Sequence, residues 1–259
     1  MTRAASKPPA PRKPRPAALE SKVAWVVGGS GSLGQAIVKT LRDAGARVVV
    51  SSRRTSTRWQ DADVSTVKMD LTSGSSVEQA ARAILRRCKR IDVLVNCTAA
   101  PIFGDFLELS DDDWNTVLQS KLLGYVRTMR AVIPSMVAQG GGNIVNVSGR
   151  GGRQPTAAHL PGGCANAGVT LLTKGLADLY AGKNIRINTV SPGPIDTPRH
   201  HDIAHSNEKL KAAAKRYPPL GRLGEPADVA DAVLFLISAR AAFITGVNLP
   251  VDGGGTATV

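Results

Sequence analysis

From Lys22 onward, short apolar runs alternate with longer segments in which apolar positions recur every three or four residues. The runs VAWVV (23–27), ARVVVSS (46–52), VSTVKMD (64–70), IDVLVN (91–96), GNIVNVS (142–148) and IRINTVS (185–191) predict strands. TGVNLPVDGG (245–254) predicts a short last strand and turn. Near-continuous apolar strands fit a parallel sheet covered by helices on both faces. Helical spacing marks residues 33–44, which stop before Gly45, and residues 75–88, with Ser75 or Ser76 as cap. A long helix over 110–139 begins at Ser110 with three Asp residues in its first turn, where the helix dipole favours acids, and Pro134 predicts a kink. Residues 163–181 form a further helix, and 226–238 another with Pro226 in its first turn. The alternation predicts an α/β fold: a doubly wound parallel sheet in one domain over residues 22–259.

Composition narrows the picture. The chain is 42% apolar but only 4% aromatic, so its core is built from Val, Ile, Leu and Ala. Cys88, Cys97 and Cys164 form neither a disulfide framework nor a zinc pattern, and they read as reduced thiols of a cytoplasmic protein. No apolar run reaches membrane-span length, so no membrane partner is expected. Residues 1–21 read as a disordered, basic, proline-rich tail without the apolar segment of a secretory signal. Residues 1–18 hold Arg3, Lys7, Arg12, Lys13 and Arg15 and no acid, which leaves +8 of the net +13 on the remainder. It reads as a solubilising extension, and a nucleic-acid partner is not expected. The basic remainder suits a phosphorylated cofactor or an anionic substrate. Residues 194–224, rich in proline and containing His200, His201 and His205, read as a substrate lid with a short helix near 206–216. Those histidines lack carboxylate or Cys partners at metal spacing, so no metal is expected.

Strand 23–27 runs into GGSGSLG (28–34) and then a helix. A glycine-rich turn at such a junction lets backbone N–H groups approach a pyrophosphate at the positive end of the helix. Gly28, Ser30, Ser32, Leu33 and Gly34 are the candidate contacts, in a Rossmann-like arrangement. The turn resembles that of the short-chain dehydrogenase/reductase family, with Val27 for Thr and Ser32 for the middle Gly. Asp70 and Leu71 in MDLT fall where the family sets an Asp against adenine. Asn96 opens NCTA against the family's N-N-A-G. Pro192, Gly193, Ile195 and Thr197 in SPGPIDT match the segment that closes over the nicotinamide. The resemblance spans residues 22–254 and includes PLGRLGEPADVADAVLFLIS. It implies a nicotinamide dinucleotide cofactor, a small-molecule substrate, and a homotetramer or homodimer packed through the fourth and fifth helices and the C-terminal segment. Where an acid after the second strand would accept both ribose hydroxyls and repel a 2′-phosphate, this chain has Ser51, Ser52, Arg53 and Arg54. A guanidinium can pair a phosphate bidentately, so NADP is preferred to NAD, with Ser52 and Arg53 at the phosphate.

The family's active site is a tetrad of Asn, Ser, Tyr and Lys, and this chain departs from it throughout. By the helix pattern NAGVTLLTKGLA, Asn166 stands where Lys belongs, Gly162 where Tyr belongs, Gly149 where Ser belongs, and Lys121 where Asn belongs. A one-residue shift reaches Ser148. Asn and Lys have thus changed places, and Asn166 falls at the cofactor. Two replacement proton donors lie nearby in sequence. Tyr125 is four residues after Lys121, on one helix face, where a cation would lower the phenol's pKa. His159 leads into the fifth helix. Lys121 with Tyr125 or His159 is therefore the candidate acid/base set. Arg150 and Arg153 follow the fifth strand on the substrate side. Three functions are open: an NADP(H)-dependent carbonyl/alcohol oxidoreductase with a rearranged site, a dinucleotide-binding regulatory or scaffolding protein without turnover, and a non-redox lyase or isomerase using Lys121.

Overall fold

The structure is a computed structural model and describes residues 19–53, 59, 63–98, 101–198, 200–201 and 218–257. Expectations for the tail before residue 19, for Arg54, for His205 and for the lid helix near 206–216 fall outside the described residues.

Seven parallel strands form one sheet in the order β3-β2-β1-β4-β5-β6-β7. They are β1 (Val23–Val27), β2 (Arg47–Ser52), β3 (Val64–Lys68), β4 (Val93–Asn96), β5 (Gly142–Val147), β6 (Ile185–Pro192) and β7 (Asn248–Val251). Parallel neighbours need crossovers, and the helices α1 (Ser32–Asp43), α2 (Gly74–Cys88), α3 (Asp111–Val117), α4 (Leu123–Ala138), α5 (Leu160–Tyr180) and α6 (Pro226–Ile237) supply them.

The strands from β1 to β6 feed two cores, because successive side chains point to opposite faces. Ala24 and Val26 pack with Ile37, Val38 and Leu41 of α1 and Val229 and Val233 of α6. Val23, Trp25 and Val27 face the other way, with Met129 and Val132 of α4 and Val169 of α5. Strand order reverses between β1 and β4, which opens a crevice at their carboxyl ends, where ligands bind in open sheets of this kind.

Local details depart from expectation for physical reasons. α2 is capped by Ser73, whose Oγ accepts from Ser76 N at 3.3 Å, rather than by Ser75 or Ser76. α5 begins at Leu160, three residues before the expected start, because Pro161 fits a first turn that needs no N–H. The last strand is confined to Asn248–Val251. Ser110 caps α3 as expected, in a capping box with Asp113. The long helical stretch expected over 110–139 is interrupted not at Pro134, which sits inside an unbroken α4, but at a π-helical turn, Leu118–Leu122.

Candidate active site and cofactor groove

The groove begins at the turn after β1. Gly28 has φ +84°, and a Cβ there would stand 2.4 Å from the Cys97 carbonyl oxygen. A Cβ on Gly34 would stand 2.2 Å from the Gly28 carbonyl oxygen. Only glycine allows this approach of strand, turn and helix. Gly31 precedes α1 without a side-chain cap, and the first turn of α1 carries no acid. The first N–H groups of α1, at Ser32, Leu33 and Gly34, are therefore an uncompensated positive end. Ser30 is exposed beside them.

The far end of the groove lies at β2 and β3. Ser52 is half-buried and Arg53 is exposed. Asp70 accepts from both the hydroxyl (2.7 Å) and the N–H (2.9 Å) of Thr72. These bonds hold its carboxyl below the usual range, and the charges of Arg53 and Arg127 add to the effect. Leu71 is buried under Gly124 of α4. Asn96, expected at the cofactor, is fully buried. Its amide donates to Asn146 (2.9 Å) and accepts from Thr128 (2.8 Å), and the chain of bonds continues through Thr173 to Thr189. That side chain stitches β4 to β5 and lies in the interior rather than in the groove.

On the opposite wall, Gly193 donates to the Val251 carbonyl at 3.0 Å, following Pro192 at the end of β6. Ile195 is buried and bridges to Gly224. Thr197 accepts the His200 N–H at 3.2 Å. His201 pairs with Asp196 at 2.8 Å, a carboxylate partner that sequence spacing did not suggest. Among the described residues, no group of three His, Cys, Asp or Glu could hold a metal.

The substituted tetrad positions converge at the ends of β5 and α5. The π-helical turn adds a residue to the helix and turns Lys121 inward, where only 6% of it is exposed. Its Nζ donates to the Ser148 carbonyl at 3.1 Å. The Ser148 hydroxyl is directed away, donating to the Asn166 carbonyl at 3.0 Å. The Asn166 side chain lies over Gly149: Nδ2 is 2.9 Å from where a Cβ on Gly149 would stand. Its Oδ1 is buried with no hydrogen-bond partner among the described residues. A buried acceptor left without a donor costs about 1–3 kcal/mol, so it marks a place prepared for a donor.

One turn earlier on α5, the ring of His159 lies over Gly162, with Nε2 2.0 Å from the position of a Cβ there. The ring stacks on Phe103 at 4.2 Å between centroids, and Nδ1 meets the Ile102 carbonyl at 3.0 Å. Gly104 N donates to the Ala158 carbonyl at 3.1 Å, tying the same two loops together. Since a carbonyl only accepts, Nδ1 carries a proton. None of this was legible from residue types, because it depends on contacts between segments 57 residues apart.

Tyr125 sits differently from the expectation. It is fully buried behind Lys121, with Nζ 6.0 Å from its ring centroid. Its hydroxyl meets the carbonyls of Thr98 and Val147, each at 3.1 Å, and accepts the Thr98 N–H at 3.0 Å. Burial, with Cys97 nearby, pushes its pKa up rather than down. Loss of water outweighs the distant ammonium. Arg150 donates to the Gly255 carbonyl at 3.2 Å, and Arg153 is exposed.

Known proteins match this architecture. A family model described as enoyl-(acyl carrier protein) reductase matches residues 28–256. The chain is similar to the 3-oxoacyl-[acyl-carrier-protein] reductase of Vibrio harveyi, 32% identical over 241 residues that cover 91% of this chain and 98% of that protein. It is also similar to the 2,5-dichloro-2,5-cyclohexadiene-1,4-diol dehydrogenase of Sphingobium indicum, 31% identical over 244 residues, covering 91% and 96%. Among solved structures, the ligand-free aldohexose dehydrogenase of Thermoplasma acidophilum superposes with a TM-score of 0.86 at 30% identity, covering 93% of this chain and 96% of that one. With the glycine turn, the seven-stranded sheet and these relatives together, the chain belongs to the short-chain dehydrogenase/reductase family of oxidoreductases.

Proposed function

We propose that this protein is an NADP(H)-dependent oxidoreductase that interconverts a carbonyl and an alcohol with a rearranged set of polar groups. The observation that carries the reading is the imidazole of His159 standing in the space above Gly162. The cofactor's place is supported by the glycine cradle at Gly28 and Gly34, the uncapped start of α1 and the orphaned Oδ1 of Asn166, which suits a ribose hydroxyl. Ser52 and Arg53, with no acid at the end of β2, favour the 2′-phosphate and hence NADP. When bound, the dinucleotide supplies a hydride to the carbonyl carbon or takes one from the alcohol carbon.

The chain's own residues then manage the proton. His159 Nε2 gives a proton to the carbonyl oxygen in reduction and takes it back in oxidation, while the Ile102 carbonyl keeps Nδ1 protonated. Lys121 adds positive potential beneath the oxygen that gains charge, fixed by Ser148. Tyr125 takes no part, since its hydroxyl is enclosed by Thr98 and Val147. Arg150 and Arg153 give the mouth a positive character that suits an anionic substrate, and the Vibrio relative makes a 3-oxoacyl thioester the first to try. Exposed Leu123 on α4 and Leu171 and Leu179 on α5 support a homodimer or homotetramer packed through those helices.

The test is NADPH consumption with a panel of 3-oxoacyl thioesters, ketones and aldehydes, with NADH in parallel. Steady consumption, faster with NADPH, is expected. Tight NADPH binding with background turnover across the panel would instead leave a dinucleotide-binding protein without redox activity.

A further inference from the structure

Two glycines at the site are each filled by another residue's side chain. Over Gly162 it is the imidazole of His159, and over Gly149 it is the amide of Asn166. Positions 162 and 166 are one turn apart on α5, so the two groups lie side by side on one helix face. A carbonyl oxygen taking a proton from His159 must come within about 3 Å of Nε2. The Asn166 amide is the next polar group along that face. Its Nδ2 donates to no protein group among the described residues, although the residue is only 6% exposed. Ser148, the neighbouring hydroxyl, is committed to the Asn166 carbonyl.

We propose that the Asn166 side-chain N–H is the hydrogen-bond donor that orients and polarises the reacting carbonyl, from the space that Gly149 leaves open. The inference rests on reading the cleft as a carbonyl site, and it gives the two ends of one amide different duties. Oδ1 accepts from a cofactor hydroxyl and Nδ2 donates to the substrate. Gly149 is then a necessary absence. A Cβ at 149 would stand 2.9 Å from Nδ2 and push the amide aside.

The carbonyl band of ethyl 3-oxobutanoate, 13C-labelled at the ketone and bound with NADP+, reads this directly by difference infrared spectroscopy. Wild type should show the ketone stretch shifted to lower frequency. Asn166→Ala should lose the shift while its NADPH affinity, from nicotinamide fluorescence, falls by no more than about tenfold, the worth of one ordinary hydrogen bond. Adding Gly149→Ser to Asn166→Ala should restore the shift, because a hydroxyl then enters the vacated space. Asn166→Asp, the same size without the N–H donors, carries the same expected loss if Asn166→Ala does not fold. An unshifted wild-type band, or a shift that survives Asn166→Ala or Asn166→Asp, overturns the proposal. A shifted band in a protein that never turns over NADPH keeps the proposal and removes the oxidoreductase reading instead.

Discussion

The imidazole of His159 occupies the space in which a side chain on Gly162 would begin, with Nε2 2.0 Å from that Cβ position. The residue types at 159 and 162 are therefore coupled. A methyl on Gly162 must displace the ring, and the ring can yield because its far edge is what collides. Gly162→Ala should accordingly unfold the protein little, break the stack on Phe103, and lower turnover about as much as His159→Gln. A positioned general acid contributes about 10²- to 10⁴-fold, so both variants should fall in that range with NADPH binding retained. Full turnover in His159→Gln would exclude His159 as the acid.

Tyr125 supplies the contrasting case. Phenylalanine at this position would leave the Thr98 N–H and the carbonyls of Thr98 and Val147 without their shared partner. The expected cost is about 1–3 kcal/mol of stability, read by urea unfolding, with turnover per folded molecule unchanged. A large fall in turnover at unchanged stability would return Tyr125 to the reaction.

These two residues show where sequence reading reaches and where it stops. The run of β1 into glycines and then α1 was legible because apolar periodicity and glycine chemistry are local. The sheet followed from the alternation of such runs. Lys121 was legible as an exchanged position, but its inward turn depends on the π-helical residues Leu118–Leu122, whose apolar spacing reads as plain helix. The proximity of Lys121 and Tyr125 suggested a lowered pKa, yet burial decided the sign. Asn96 matched a motif whose resemblance pointed to the cofactor, while its bonds to Asn146 and Thr128 belong to the sheet. His159 gains its role from Ile102, Phe103 and Gly162, which only the tertiary fold assembles.

The cofactor end gives a separable prediction. Arg53 is exposed and its charge reaches Asp70, so it stands at the edge of the groove rather than in the core. Arg53→Ala should weaken NADPH binding by about 10- to 100-fold, the worth of a charge-assisted phosphate contact. It should leave NADH binding nearly unchanged and the melting temperature unaltered. Equal losses for the two cofactors in a fluorescence titration would mean that Arg53 does not read the 2′-phosphate.

At the opposite end of the sheet, Asp92 ties β1 to β4. Its carboxylate accepts from Arg90 Nε at 2.8 Å, from the Val23 N–H at 2.9 Å and from Lys22 Nζ at 3.3 Å. Burial alone would raise its pKa, but the Arg90 and Val23 bonds and the Lys22 charge outweigh it and hold the carboxyl below its ordinary 3.8. A carboxyl whose pKa is depressed by folding adds stability above its unfolded value, and that stability is lost as pH falls through the folded value. Asp92→Asn keeps an acceptor for Val23 and removes the charge, and its two cationic partners are about half exposed and screened. It should cost about 1–2 kcal/mol at neutral pH. In urea titrations the gap between wild type and Asp92→Asn should stay level down to about pH 4 and close below 3.8. A gap that persists undiminished in stronger acid would show that the packing of Asp92, and not its charge, fastens the base of the sheet.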